Sequence, residues 1–220
     1  MKFSPETIKV LKTFSSINTN LLLKAGNQIS TISPQRNVIA EVTIPETIPS
    51  DFGIYDLTEF LGVLSLFSDA EIEFTDKIAV FKEGKSSIKY LAAEPTLLVV
   101  PSKTIVFPES EVDFTLTGAT LNTAIKTAGV LRSTDITIEG DGTDIYLSVK
   151  DLKNPNANSF RVAVGTTEKT FSANLKVENL KMSSSDYEVS MSSKKISRWK
   201  STTQDATFYV ALEATSTFTA

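Results

Sequence analysis

Apolar residues recur at Ile8, Leu11, Phe14 and Ile17, the spacing of one helix face, while Lys9, Lys12 and Ser16 take the other side. Ser4-Pro5-Glu6 supplies the start of this helix: serine can cap it, proline suits its first position, and glutamate favours the positive end of its dipole. The period then falls to two. Strands are predicted at 21–24, 28–32 and 37–44, the last alternating Val38, Ala40, Val42 and Ile44, as a meander ended by the breakers Pro45 and Pro49. Asp56, with Glu59 three residues later, reads as a capping box for a second helix over 57–67, apolar on most sides and expected to be deeply packed. Strands resume at 71–74, 78–81 and 87–91.

An extended segment between two prolines, Leu97 to Pro108, reads as an interdomain connector. Beyond it the plan repeats. A strand at 112–116 leads to a helix over 119–131. A hairpin follows, with strands 136–139 and 145–149 around Gly140-Asp141-Gly142, then strands at 160–164 and 171–175. A short fourth helix is expected near 177–182, and strands at 187–191, 195–200 and 207–212 close the chain. Phe52, Ile54 and Leu61 align with Phe171, Ala173 and Leu180 at one constant offset of 119 positions, the mark of an internal repeat. The expected fold class is α+β, with two similar domains at 1–100 and 111–220 joined by a connector at 101–110.

Composition narrows the chemistry. The 220 residues are 41% hydrophobic and 22% charged, enough for real cores, and the net charge is −4. Neither cysteine nor histidine is present, which removes disulfides, thiolate nucleophiles, Cys/His zinc sites and histidine acid–base work. No apolar run approaches a membrane span, and Met-Lys-Phe-Ser-Pro-Glu lacks the apolar core of a signal peptide, so a soluble, intracellular protein without membrane contact is expected.

Paired carboxylates are the remaining route to catalysis. Asp135, Glu139, Asp141 and Asp144 crowd one hairpin, and Glu71 and Glu73 share a strand face, but turn acids and a solvated strand face account for them better. Gly140-Asp141-Gly142 lacks the third glycine of a nucleotide fingerprint. Ser183-Ser184-Ser185 has no histidine to activate it. Trp199, between Arg198 and Lys200, admits stacking on a base, with plain packing as the ordinary alternative. No catalytic residue, metal site or cofactor is expected.

Basic residues carry the functional case. Lys9 and Lys12 on the first helix, Lys126 and Arg132 on the third, and Lys176 and Lys181 flanking the fourth place positive charge on helices of an acidic chain, whereas the second helix has none. A solvated lysine face explains any one of these; their recurrence points to a polyanion, with DNA first. In the connector, Ile105, Val106, Phe107 and Pro108 form an extended apolar strip. With Ala211 and Leu212 of the closing strand it forms a candidate groove for a partner's tail, unless these residues plug the seam between domains.

Lys2-Phe3-Ser4, Leu11-Lys12-Thr13-Phe14, Ala40-Glu41, the tract Ile54-Tyr55-Asp56-Leu57 with Phe60 to Leu66, Val106-Phe107-Pro108 and the closing Tyr209 to Ala214 together resemble the DNA polymerase sliding clamps of T-even-type tailed phages. The resemblance runs nearly end to end, is most specific from Ile54 to Leu66, and is one of pattern only from Asp141 to Thr170. It implies a homotrimeric ring, sheets outside and helices lining a hole through which duplex DNA passes without sequence preference, meeting Lys9, Lys12, Lys126, Arg132, Lys176 and Lys181. It also implies a non-enzymatic processivity factor in the host cytoplasm, loaded by an ATP-driven clamp loader. Such a factor binds the polymerase's C-terminal tail in the connector groove and takes part in late transcription. The chain departs from the family where Gly129 and Val130 stand near a basic position of the third helix. The competing reading is a phage structural or assembly protein of duplicated β-rich domains with merely solvated lysines. Strand edges near 78–91 and 160–164 are the expected subunit interface.

Overall fold

The computed structural model describes every residue except Lys103, Thr104, Pro155 and Ala220. Two of these, Lys103 and Thr104, fall within the expected connector and lie outside the described residues. The chain divides into two compact units, residues 1–104 and 105–220.

In the first unit, helix α1 (Pro5–Ile17) leads into strands β1 (Leu21–Leu23), β2 (Gly26–Ile32), β3 (Val38–Ile48) and β4 (Phe52–Ile54). Helix α2 (Leu57–Ser65) and strands β5 (Glu71–Phe74), β6 (Ile78–Glu83) and β7 (Ser86–Leu91) follow, then a single 3-10 turn at Pro95–Leu97. All pairings are antiparallel: β1 with β4, β2 with β3, and β5-β6-β7 in order. Val38, Ala40, Val42 and Ile44 are all buried, as alternation predicts. The strand does not stop at Pro45, however. Pairing shifts between Gln28↔Thr43 and Gly26↔Ile48, so proline sits in a bulge where no ladder donor is needed. Strand β4, absent from the sequence expectation, is only three residues long.

Phe60 of α2 packs edge-on against Phe81 and Tyr90, with ring centroids 5.2 and 5.3 Å away. Contrary to expectation α2 is not enclosed all round. Only Leu57, Phe60 and Leu64 are buried, and Leu66 is 71% exposed, because the helix lies on one face of its unit.

The second unit runs β8 (Val112–Leu116), α3 (Gly118–Leu131), β9 (Asp135–Asp141), β10 (Asp144–Val149), β11 (Phe160–Thr166) and β12 (Thr170–Lys176). It ends with β13 (Tyr187–Ser192), β14 (Ile196–Ser201), β15 (Ala206–Ala211) and the short β16 (Thr217–Phe218). Its strands form β11-β10-β9-β12-β16 and β8-β13-β14-β15, again antiparallel. Tyr187 lies edge-on to Trp199 and Phe208 at the centre of the core. Trp199 is 1% exposed and donates from Nε1 to Ser197 Oγ at 2.9 Å, so it is packing and not a stacking platform.

Each unit thus contains the order helix, four strands, helical segment, three strands, which in the second unit is preceded by β8 and followed by β16. Phe52 and Ile54 on β4 and Phe171 and Ala173 on β12 occupy equivalent strands, as their constant offset predicts. The expected fourth helix is missing: Val177–Asn179 is one 3-10 turn. Serines divert the chain beyond it. Ser183 O accepts from the Tyr187 hydroxyl, and Ser185 Oγ is shared with Ser201 at 2.6 Å and Thr203 at 2.9 Å. The same segment closes on α3, where a Cβ on Gly118 would stand 2.5 Å from Ser185 O. Gly118→Ala should therefore destabilise the protein by about 1–3 kcal/mol. Urea titration checks this against Gly129→Ala, whose Cβ meets nothing within 4 Å.

Candidate nucleic-acid interface

Helix α1 is fixed at its start by two layers of hydrogen bonds. Ser4 caps it, Oγ accepting from Thr7 N at 3.2 Å. Glu46, reaching from β3, accepts from Ser4 N with one carboxylate oxygen and from the Thr7 hydroxyl with the other. Thr7, Val10, Leu11, Phe14 and Ile17 are buried, which turns Lys9, Lys12 and Ser16 to solvent.

Helix α3 begins at Thr117, whose hydroxyl accepts from Thr120 N at 3.2 Å, and Gly118 N donates to Asp186 Oδ1 at 2.8 Å. Leu121, Ala124 and Ala128 face the core, leaving Asn122, Thr123, Lys126 and Val130 exposed. Arg132 is not on the helical face. It is the left-handed C-cap (φ 54°), an exposed cation at the negative end of the dipole.

Lys9, Lys12, Lys126, Arg132 and Lys181 form no ion pair among the described residues, whereas Lys176 does. Its Nζ lies 2.7 Å from Asp135 Oδ1, and that hydrogen bond, partly opposed by burial, holds its pKa above the usual lysine value. Lys176 ends strand β12 and Lys181 lies in irregular chain, so neither flanks a helix as expected. Lys9 and Lys12 on α1 and Lys126 on α3 are thus the helix cations without an ion pair among the described residues, and exposed lysines of strands and loops, Lys24, Lys77 and Lys89 among them, share that state. The exposed side of α2 offers Thr58, Glu59, Gly62 and Ser65, with no cation.

The hairpin carboxylates are bound up in structure. Burial alone would raise Glu139, but Lys150 and Ser148 hydrogen bonds and the charges of Lys150 and Arg161 hold it below the ordinary value. Asp141 Oδ1 accepts from Thr143 N and Asp144 N in the turn at 3.0 and 2.9 Å, which keeps it ionised. Neither is a proton-donating acid of the kind a hydrolase needs.

The candidate groove residues divide. Val106 is 89% exposed and Ile105, Phe107, Pro108 and Ala211 are partly exposed, but Leu212 is 5% exposed and belongs to the core. Alternation explains the correction: on β15, Phe208 and Val210 point inward with Leu212, while Tyr209 and Ala211 point outward. Phe107 lies 6.4 Å from Tyr209, ring to ring, and the guanidinium carbon of Arg198 stands 4.8 Å over Phe107. Tyr209 and Arg198 were not singled out for the groove. Their outward positions on β15 and β14 were readable from the alternation around Phe208 and Trp199.

A sequence model of the family described as DNA polymerase processivity factor matches residues 4–107. The sliding clamp of Enterobacteria phage T4 is 32% identical over 99% of both chains, and that of Vibrio phage KVP40 is 30% identical over 97% of this chain and all of the relative. The chain belongs to the phage sliding-clamp family. As a sliding clamp it shares its fold with solved structures of much lower identity. The PCNA of A. fulgidus, solved with the C-terminal region of FEN-1 bound, superposes with a TM-score of 0.72 at 14% identity over 96% of this chain and 97% of that one. The DNA polymerase III subunit beta of Borrelia burgdorferi gives 0.72 at 11% identity, over 94% of this chain and 62% of that longer one. No helix among the described residues of the clamp is long and apolar enough to cross a membrane.

The anchoring of α1 has a pH signature. Burial raises Glu46, yet the hydrogen bonds from Thr7 and Ser4 outweigh it and leave the folded pKa below the ordinary glutamate value. A carboxylate depressed on folding stabilises above its unfolded pKa, about 4.3, and that contribution is lost as pH falls through the folded value. Glu46→Gln should thus lower stability at pH 7 and flatten the acid limb below about pH 4.3. Melting temperatures measured from pH 7 to pH 3 check both.

Proposed function

We propose that this clamp forms a homotrimeric ring around duplex DNA and, catalysing no reaction itself, tethers the replicative polymerase at the primer end in the host cytoplasm. The observation that carries the reading is the set of unpaired, exposed lysines on α1 and α3 of a protein with net charge −4. Acids repel a polyanion from most of the surface, while Lys9, Lys12 and Lys126, with Arg132 and Lys181 beyond the helices, attract phosphates without reading bases. Topology then holds the ring, and the tethered polymerase gains a high effective concentration at its template.

Subunits join edge to edge. Strand β7 is outermost in β5-β6-β7 and carries Leu91, 73% exposed, and β11 is outermost in its sheet. Pairing β7 of one chain with β11 of the next satisfies both backbone edges and leaves none open when the ring closes. The groove at Phe107, Tyr209 and Ala211 receives C-terminal tails, first that of the polymerase. The A. fulgidus relative, bound to a partner's C-terminal region, supports this mode. The same groove serves an ATP-driven clamp loader and the factors of late transcription.

Sedimentation should give the mass of three chains; a monomer at every concentration would sink the ring. Lys9→Glu, Lys12→Glu and Lys126→Glu together should slow loading onto primed circular DNA at least about tenfold and reduce its salt slope by about three, with melting unchanged. Unaltered polymerase processivity in that variant would remove these faces from DNA contact.

A further inference from the structure

Strand β14 sends Ser197, Trp199 and Ser201 inward and Ile196, Arg198 and Lys200 to the opposite face. Arg198 pairs across the strands with Tyr209 on β15 and Ser190 on β13. One Nη2 hydrogen goes to Ser190 Oγ at 2.9 Å, and the guanidinium carbon lies 4.8 Å from the centre of the Phe107 ring. Arg198 Nε is buried and has no hydrogen-bond partner among the described residues. A charged donor stripped of water and left unpaired is costly, and such groups ordinarily hold a carboxylate.

The comparison within the molecule is direct. Lys150 and Lys176, similarly enclosed, each grip a carboxylate, at 2.5 and 2.7 Å. Arg198 has no carboxylate within ion-pair distance among the described residues. Lys200, the next outward residue on the strand, faces Glu188 across the ladder, and Asp113 lies a strand further off, opposite Ser190. Around Arg198 the outward residues are Ile196, Thr207, Tyr209 and Ala211, all uncharged. The site has a planar two-pronged donor, an aromatic wall and no anion.

We propose that Arg198 reads the chain-terminal carboxylate of a partner's tail in this groove, Phe107 turning aside to uncover Nε and forming, with Tyr209, the apolar wall beside it. This rests on the tail-binding reading above. A terminal carboxylate is the one anion every tail possesses whatever its sequence, so a single arginine suits a surface that serves several partners. It also supplies one compact charge to the buried, unpaired Nε of Arg198.

The test uses the full-length clamp and a synthetic peptide copying the C-terminal tail of the cognate polymerase, made as the free acid and as the C-terminal amide. Calorimetry should show the wild type binding the acid about ten- to a hundredfold more tightly than the amide. Arg198→Met, which keeps an apolar stem against Phe107, should bind both forms alike and about as weakly as the wild type binds the amide. Arg198→Lys should restore only part of the preference, since it returns the charge without the fork. Unchanged melting and sedimentation of the variants establish that they fold. Equal affinity of acid and amide for the wild type overturns the proposal, as does a preference that survives Arg198→Met. If the amide binds as well as the acid while Arg198→Met weakens both, Arg198 meets a side-chain carboxylate and the terminal assignment fails with the groove intact. Binding of neither peptide to the wild type overturns the groove itself.

Discussion

Leu11 and Phe14 on α1, and Ala124 and Ala128 on α3, are wholly buried, so each helix has only one way to face. A turn of either helix about its axis would lift one of these residues into water at about 1.5–3 kcal/mol for a leucine- or phenylalanine-sized side chain. Every outward residue is set by that constraint. Lys9 and Lys12 point away from one core and Lys126 from the other, with no ion pair among the described residues to hold them. The cations need no bond at their tips, because the positioning is done at the opposite side of the helix.

The use of charge follows the same division of labour. Acidic side chains are tied into the fold: Glu46 and Asp56 at helix starts, Asp186 on the backbone of α3, Glu111 on Ser193, Asp135 and Glu139 on lysines. Lys150 and Lys176 are spent in those contacts, whereas the lysines of α1 and α3 have no ion pair among the described residues. An acidic protein whose helix cations are left free of acids differs electrostatically from one whose helix cations are paired. The first has a place for a polyanion and the second does not. Unpaired lysines with long flexible stems suit contact with a sliding duplex, since exposed pairs contribute only about 0–1 kcal/mol each and no register is favoured.

Much of this was legible because local and tertiary signals agree. Ser4-Pro5-Glu6 and Asp56 start helices where they should, and the alternation in β3 buries the residues it names. The errors arise where a tertiary contact overrules a local one. Pro45 falls in a bulge and spares the strand it was expected to end. Residues 177–182 have the composition of a short helix, but Ser183 and Ser185 find hydroxyl and carbonyl partners on Tyr187, Ser201 and Thr203, and the helix shrinks to a turn. Arg132 looked helical by spacing, yet it adopts φ 54° to end α3. Glu46 could not be found at all from sequence, since its role depends on β3 passing the start of α1.

Leu212 and Arg198 show why the groove was harder to read than the helix faces. A helix face is a periodic pattern with several members, so one misassigned residue barely alters it. A groove is assembled from single outward positions on different strands, and a shift of one residue exchanges wall for core. Leu212, expected in the wall, is core. Arg198 neighbours a packed tryptophan, and that very packing fixes it outward. A repeated fold keeps its helix-facing pattern in both halves, but it does not duplicate a site built from one arginine, one connector phenylalanine and one outward tyrosine. Exposed helix lysines can therefore recur in both units, while the cluster of Arg198, Phe107 and Tyr209 belongs to the second unit alone.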